Sequence, residues 1–193
     1  MASTQTQTHT SPRPLAGTYA IDPGHSGVAF TGRHLMVSKV RGKFAVTGGT
    51  IVVADDLALS SVDATIDAAS VESGDPRRDE HLRSGDFFAV EDHPTITFRS
   101  TQVEDHGDGE FTLSGDLTVR GVTRPVTLRG EHLGSAQSPW NTTVVGFTAR
   151  TVVNRKDWGL EWNMALEAGG VLVGDKVTLD IDVEAVLQDA PQA

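Results

Sequence analysis

The sequence contains no cysteine. Disulfides, thiolate metal sites and a cysteine nucleophile are therefore excluded, while the redox state of the compartment stays open. Aromatic residues are scarce, with three tryptophans, one tyrosine and seven phenylalanines among 193 residues. Positive charge is scarce as well, since 16 Lys+Arg face 26 Asp+Glu for a formal charge of −10. A chain of this balance repels phosphate backbones, and its basic residues form no stripe that could release counterions, so nucleic acid is not expected as a partner. No stretch approaches the roughly 18 consecutive apolar residues of a membrane-spanning helix. The first fourteen residues hold no apolar run of signal-peptide length, and neither end carries a lipidation motif, so the expected location is cytoplasmic. Residues 1–14, rich in Ser, Thr, Gln and Pro, and residues 189–193 read as tails around one domain spanning 15–188.

What is present is alternation with a period of two, the period at which successive side chains of a strand face opposite ways. Val28, Phe30, Gly32 and His34 alternate with Ala29, Thr31 and Arg33, and Val40, Gly42, Phe44 and Val46 follow the same rule. So do Val62 to Ala68, Ile96 and Phe98, Phe111 to Val119, Val126 and Leu128, Val145 to Val153, Val171 to Val173, and Val177 to Ala185. About eight or nine antiparallel strands result, apolar on one face and polar on the other, as in a closed barrel or a two-sheet sandwich. A turn at Gly121-Val122 marks the clearest hairpin. The segment Asp75 to Gly85 breaks the period and predicts a short helix, capped by Asp75, begun by Pro76 and stopped by a left-handed Gly85. Leu82, Phe87 and Phe88 would dock it on one end of the barrel.

Inward positions rich in Val, Ala, Gly and Thr are compatible with either a filled core or a hollow barrel holding one apolar guest. Asp22, His25 and Ser26 suggest hydrolytic chemistry, yet five residues at one turn cannot easily direct a base at both acid and nucleophile, and no Gly-x-Ser-x-Gly elbow exists. Turn hydrogen bonding is the simpler role for them. The seven histidines, His9, His25, His34, His81, His93, His106 and His132, show no metal-binding spacing, so no metal is expected. The acidic run Glu104 to Glu110 misses the calcium-loop pattern and reads as a hairpin tip. Gly48-Gly49 and Gly169-Gly170 read as turns. In the stretch Asn154 to Met164, Trp158 and Trp162 either plug the barrel end or form a lid over a guest.

The blocks Tyr19-x-Ile21-Asp22-x-x-His25-Ser26-x-Val28-x-Phe30-x-x-x-His34, Val40-x-Gly42-x-Phe44 and Arg78-Asp79-x-His81-Leu82-Arg83-Ser84-x-Asp86-Phe87-Phe88 resemble the YceI-like family of lipocalin-fold proteins. His93 to Ser100, Gly115 to Leu128, Asn154 to Gly159 and Val173 to Leu179 resemble its later motifs, so the likeness spans nearly all of residues 17–187. The resemblance implies an all-β, extended antiparallel lipocalin-like barrel with a short helix capping one end. Its apolar channel would hold a polyisoprenoid, such as a polyprenyl lipid or an isoprenoid quinone tail, or another amphiphile. It implies a binder or carrier, often linked to stress, with no catalytic residues and no cofactor beyond the bound lipid. Many members carry a signal peptide, and its absence here favours cytoplasmic lipid handling. By motif and parity, Val28, Phe30, His34, Phe44, Phe98, Leu117 and Phe147 would line the channel, while Trp158, Phe87 and Phe88 would close an end. His25, Ser26, Asn154 and Arg155 are candidate headgroup contacts. The competing readings are a barrel enzyme using His25 or His34 as base, and an interaction domain with a filled core. A homodimer through outer faces or edge strands is left open.

Overall fold

The computed structural model describes residues 13–165 and 171–188; most of the two expected tails, together with His9 and Gly169-Gly170, lies outside the described residues. Among the described residues, nine strands form one antiparallel sheet: β1 (Gly17–Ile21), β2 (Gly27–His34), β3 (Ser38–Val53), β4 (Ser61–Asp67), β5 (Thr95–Gly107), β6 (Glu110–Val119), β7 (Val122–Gln137), β8 (Thr143–Asn154) and β9 (Lys176–Leu187). The helix α1 (Pro76–Arg83) interrupts them between β4 and β5.

Closure comes from two short strands sharing one place in the wall. β1 pairs with the end of β3 at Thr50 to Val53 and with the end of β9 at Ala185 to Leu187. β2 pairs with the other half of β3, Ser38 to Ala45, and with Thr178 to Asp182 of β9. The Asp22–Ser26 turn carries the chain from one to the other, so nine strands fill eight positions of a closed barrel with β4 against β3. A closed wall leaves no unpaired sheet edge.

Bulges explain where alternation in the sequence loses phase. In β3 the register shifts between Val46 and Gly48, and the inward set passes from Phe44 and Val46 to Ile51 and Val53. Gly48-Gly49 is therefore a bulge inside a strand rather than a turn, because one extra residue flips every later side chain. A Cβ on Gly49 would lie 2.2 Å from the Asp63 carbonyl oxygen. β5 shifts between Ser100 and Gln102 and β7 between His132 and Gly134. At the β5 shift the Ser100 hydroxyl accepts from the Val62 N–H at 2.8 Å, replacing a ladder bond. Residues 171–173 form isolated bridges, Val173 to His34 and Val171 to Ala165, not the strand their composition suggests. The β6–β7 turn is Arg120-Gly121, both at positive φ, one residue earlier than expected, and Asp108-Gly109 make the tip of the acidic hairpin.

Asp75 caps α1, accepting from the N–H groups of Arg77 and Arg78, and Pro76 is its first residue. The helix stops at Ser84, which has extended backbone and donates its N–H to the His81 carbonyl, so Gly85 supplies no left-handed stop. A helix of two turns needs tertiary support. Buried Asp79 supplies some by accepting from the Ser73 N–H at 2.8 Å and from its hydroxyl, while Arg83 donates to the carbonyls of Ala69 and Val71.

Three inward glycines seat phenylalanine rings. Phe30 faces Gly42 and Phe111 faces Gly130 across the ladders, and the Phe98 ring covers Gly115. A Cβ on any of the three would come within 2.5 Å of a ring atom. The rings consequently lie along the wall instead of standing in the lumen, a pairing of aromatic with cross-strand glycine that holds the strands in register. Gly42→Ala would collide with both the Phe30 ring and the Glu72 carbonyl. We expect this substitution to lower stability by about 1–3 kcal/mol, read as a reduced urea midpoint at unchanged slope.

Candidate functional site

The strands enclose a cavity of about 650 Å³ that runs the length of the barrel. This falls within the range of roughly 300–1,000 Å³ typical of a site for one small ligand. All seven phenylalanines of the chain stand on its wall. Toward the end covered by α1, Phe30 and Phe44 are 5.5 Å apart by ring centroid, and Phe88 meets Phe44 edge-on at 5.2 Å. Toward the end where β1 and Pro14 lie, Phe111 and Phe147 are 6.1 Å apart, and His132 lies 5.3 Å from Phe147. The hollow form is thus the observed one, and the filled core is overturned: the volume that larger inward residues would occupy is left open between rings held against glycines.

The structure brings Val28, Phe30, His34, Phe44, Phe87, Phe88, Phe98, Leu117, Phe147 and Trp158 together on this wall. Trp158 is buried and donates its indole N–H to the Leu117 carbonyl at 3.0 Å, so it is fastened to β6. Trp162 also lines the cavity and stacks edge-on with His81 at 4.5 Å, which in turn meets Phe87 at 5.1 Å. The two tryptophans therefore act as parts of the cavity wall at the capped end.

Of the four polar candidates only Arg155 reaches the cavity. Its guanidinium is buried and donates to the carbonyls of Gly174, Leu160 and Val173, with Asp175 at 3.7 Å. Burial pushes its pKa down, against the opposing pull of Asp175. Asn154 accepts from the Lys156 N–H at 3.1 Å, capping the turn Arg155–Trp158. Ser26 lies at the β1–β2 turn, where its hydroxyl donates to the Glu184 carbonyl and accepts from the Glu184 N–H. His25 is exposed there, its Nδ1 2.8 Å from Asp22 Oδ2 and 3.7 Å from Glu184 Oε1. These bonds commit Ser26 to the backbone, and no triad is assembled around His25. Tertiary structure does gather Asp22, His25 and Glu184, with ligand-type atoms within 4.8 Å of one another, a proximity invisible to sequence spacing. The His25 ion pairs already account for it.

Sequence reading passed over several wall residues, among them Ile51, Val103, Phe111 and His132. Ile51 and Val103 lie beyond bulges, where parity has reversed. Phe111 was legible as inward by alternation and is tied to the lumen by Gly130. His132 sits on the inward parity of β7, 8% exposed, with Ser135 Oγ 3.4 Å from its Nε2.

The exposed His25 and the buried His132 titrate oppositely. Hydrogen bonding and the charge of Asp22, with Glu184 beyond it, raise the His25 pKa above 6.5, and the same hydrogen bond lowers that of Asp22. Burial lowers His132 below 6.5, so it is neutral at pH 7. By linkage the His25 contribution to stability is full below its unfolded pKa and disappears as pH rises through the higher folded value. The His132 contribution is full above its unfolded pKa and disappears as pH falls through the lower folded value. Histidine NMR titration should place His25 above and His132 below the ordinary value, with Asp22→Asn returning only His25 toward it.

Comparison with known proteins agrees with this architecture. The family model described as YceI-like domain matches residues 19–185. A UPF0312 protein of Staphylococcus aureus is 35% identical over 172 residues, covering 86% of this chain and 95% of that protein. Among solved structures, the Campylobacter jejuni YceI protein superposes with a TM-score of 0.66 at 27% identity, covering 81% of this chain and 90% of that one. A polyisoprenoid binding domain from Saccharophagus degradans superposes with a TM-score of 0.65 at 17% identity, covering 88% of this chain and 98% of that one.

Proposed function

The chain belongs to the YceI-like family, and on that premise we propose that it binds one polyisoprenoid chain, as a polyprenyl lipid or an isoprenoid quinone, and shields it from water without chemical turnover. One observation carries this reading: a continuous cavity whose wall is predominantly phenylalanine and aliphatic side chain, with polar residues such as His34, Arg77, Asp105 and Glu110 also on its lining. β8 and β9 have twelve residues each. At roughly 3.3 Å per residue and a tilt of about 40°, the wall extends about 30 Å along the axis, suited to an extended prenyl chain more than to a compact ligand. Burying about ten methylene equivalents at ~0.8 kcal/mol each gives ~8 kcal/mol before association costs. The Saccharophagus domain of the same fold, described as polyisoprenoid binding, supports the same class of ligand.

Two buried polar side chains line the cavity among the described residues, Arg155 and His132. The arginine is occupied by backbone carbonyls. We assign His132 as the head contact, because a neutral imidazole offers one donor and one acceptor and so suits a quinone carbonyl or an alcohol. His25, Ser26 and Asn154, outside the wall, have no part in this assignment.

Native mass spectrometry of the purified protein, followed by solvent extraction, tests the proposal. One stoichiometric prenyl lipid or quinone is the expected result; a clean apo mass together with no saturable uptake of a fluorescent prenyl probe would overturn it. Phe30→Asp places a charge in the channel and should abolish uptake. His132→Phe should keep the prenyl chain and lower affinity for the quinone by about tenfold, the worth of a single hydrogen bond of about 1.4 kcal/mol.

A further inference from the structure

One tip of the barrel carries features that the channel does not use. From Gly24 to Ala54 the chain has four Lys+Arg and no Asp or Glu, in a protein of formal charge −10. No continuous basic stripe exists in the sequence, but β2 and β3 fold this segment on itself. Register pairing puts Arg33 opposite Lys39 and Thr31 opposite Arg41, on the parity facing away from Phe30 and Val40. Like charges directly opposed on a ladder disfavour pairing. Lys43 has Glu72 at 3.2 Å, whereas Arg33, Lys39 and Arg41 form no ion pair among the described residues.

The turn joining these strands is apolar. Leu35 and Met36 have φ of 51° and 61°, a left-handed region that Gly and Asn favour. Met36 is 58% and Val37 81% exposed. The Leu35 N–H donates to the Leu172 carbonyl, and the Leu172 N–H to that of Met164, so exposed Met164 and Val171 extend the same apolar tip. Large apolar side chains in a left-handed turn serve neither the turn nor the core. Immediately below, the channel wall ends in His34 and Arg77.

We propose that this tip is a docking surface for an anionic lipid bilayer, with Met36 and Val37 entering the acyl boundary and Arg33, Lys39 and Arg41 meeting the headgroup phosphates. An apolar projection with cations on the strands behind it is the chemistry of interfacial lipid binding. A protein partner would need roughly 800 Å² of matched surface on each side, far more than a projecting turn of three residues supplies. The opposite sign of the remaining surface orients the approach, turning the cationic end to the membrane. The docking is independent of what the channel holds; if the cargo is a prenyl lipid, it brings one end of the channel to the membrane that contains it.

Flotation of the full chain with phosphatidylcholine vesicles, with and without phosphatidylglycerol, tests the proposal. The protein should float with the anionic vesicles in low salt, and not with neutral vesicles or in high salt. Met36→Asp combined with Val37→Asp, and separately Lys39→Glu combined with Arg41→Glu, should reduce the bound fraction by about tenfold or more. Trp140→Ser, which removes a side chain 83% exposed in the β7–β8 connection at the opposite end, should float like the parent. Unchanged circular dichroism and prenyl-probe uptake in the Met36/Val37 variant separate lost docking from lost fold. The proposal is overturned if the parent fails to float with anionic vesicles, if the Met36/Val37 variant floats as the parent does, or if Trp140→Ser alone abolishes binding.

Discussion

Phenylalanine rings laid against inward glycines are the contacts on which the hollow interior depends. An eight-position barrel is near the size at which side chains simply fill the inside. Here Phe30, Phe98 and Phe111 each lie over a glycine at a distance that no Cβ would allow, and the lumen survives because their volume is stored in the wall. The same contact fixes register: slipping either strand by one residue would place a Cβ under a ring and turn the apolar face outward. Channel and strand pairing are therefore one constraint.

The capped end is organised by a different interaction, arginine to backbone carbonyl. Arg83 holds Ala69 and Val71, Arg120 holds Gly85 and Gly159, and Arg155 holds Gly174, Leu160 and Val173. Loop carbonyls drawn under a barrel cap lose water and need donors, and a planar guanidinium with five N–H groups can serve several at once. Arg78 and Asp79 extend the network through Ser73. Polar residues of these motifs thus serve the architecture of the end, and the lumen between the ends keeps a mostly apolar wall.

Function follows from separating these tasks. For the proposed prenyl ligand, a mostly apolar interior would recognise length and flexibility more than a particular group. Under that proposal, selectivity would fall to the polar atoms at the ends, and delivery to whatever surface the ends can approach. In this molecule the two ends differ: one bears His132 beside Phe147, the other an apolar hairpin tip whose cations form no ion pair among the described residues.

Alternation alone was enough to read the antiparallel all-β class, the inward identity of Phe30, Phe44, Phe98, Leu117 and Phe147, and the capped start of α1, because period two and an Asp-Pro start are local properties of the chain. Local signals fail where one residue is inserted. Beyond the bulges at Val46/Gly48 and Ser100/Gln102 the parity reverses, so Ile51 and Val103 were not assigned to the wall, and Gly48-Gly49 looked like a turn. Nor could sequence show that β1 and β2 share one wall position, that Arg155 spends its donors on carbonyls, or that Asp22, His25 and Glu184 meet across the β1–β2 turn. Those facts join residues up to about 160 positions apart, and only closure of the sheet decides which distant strand each one faces.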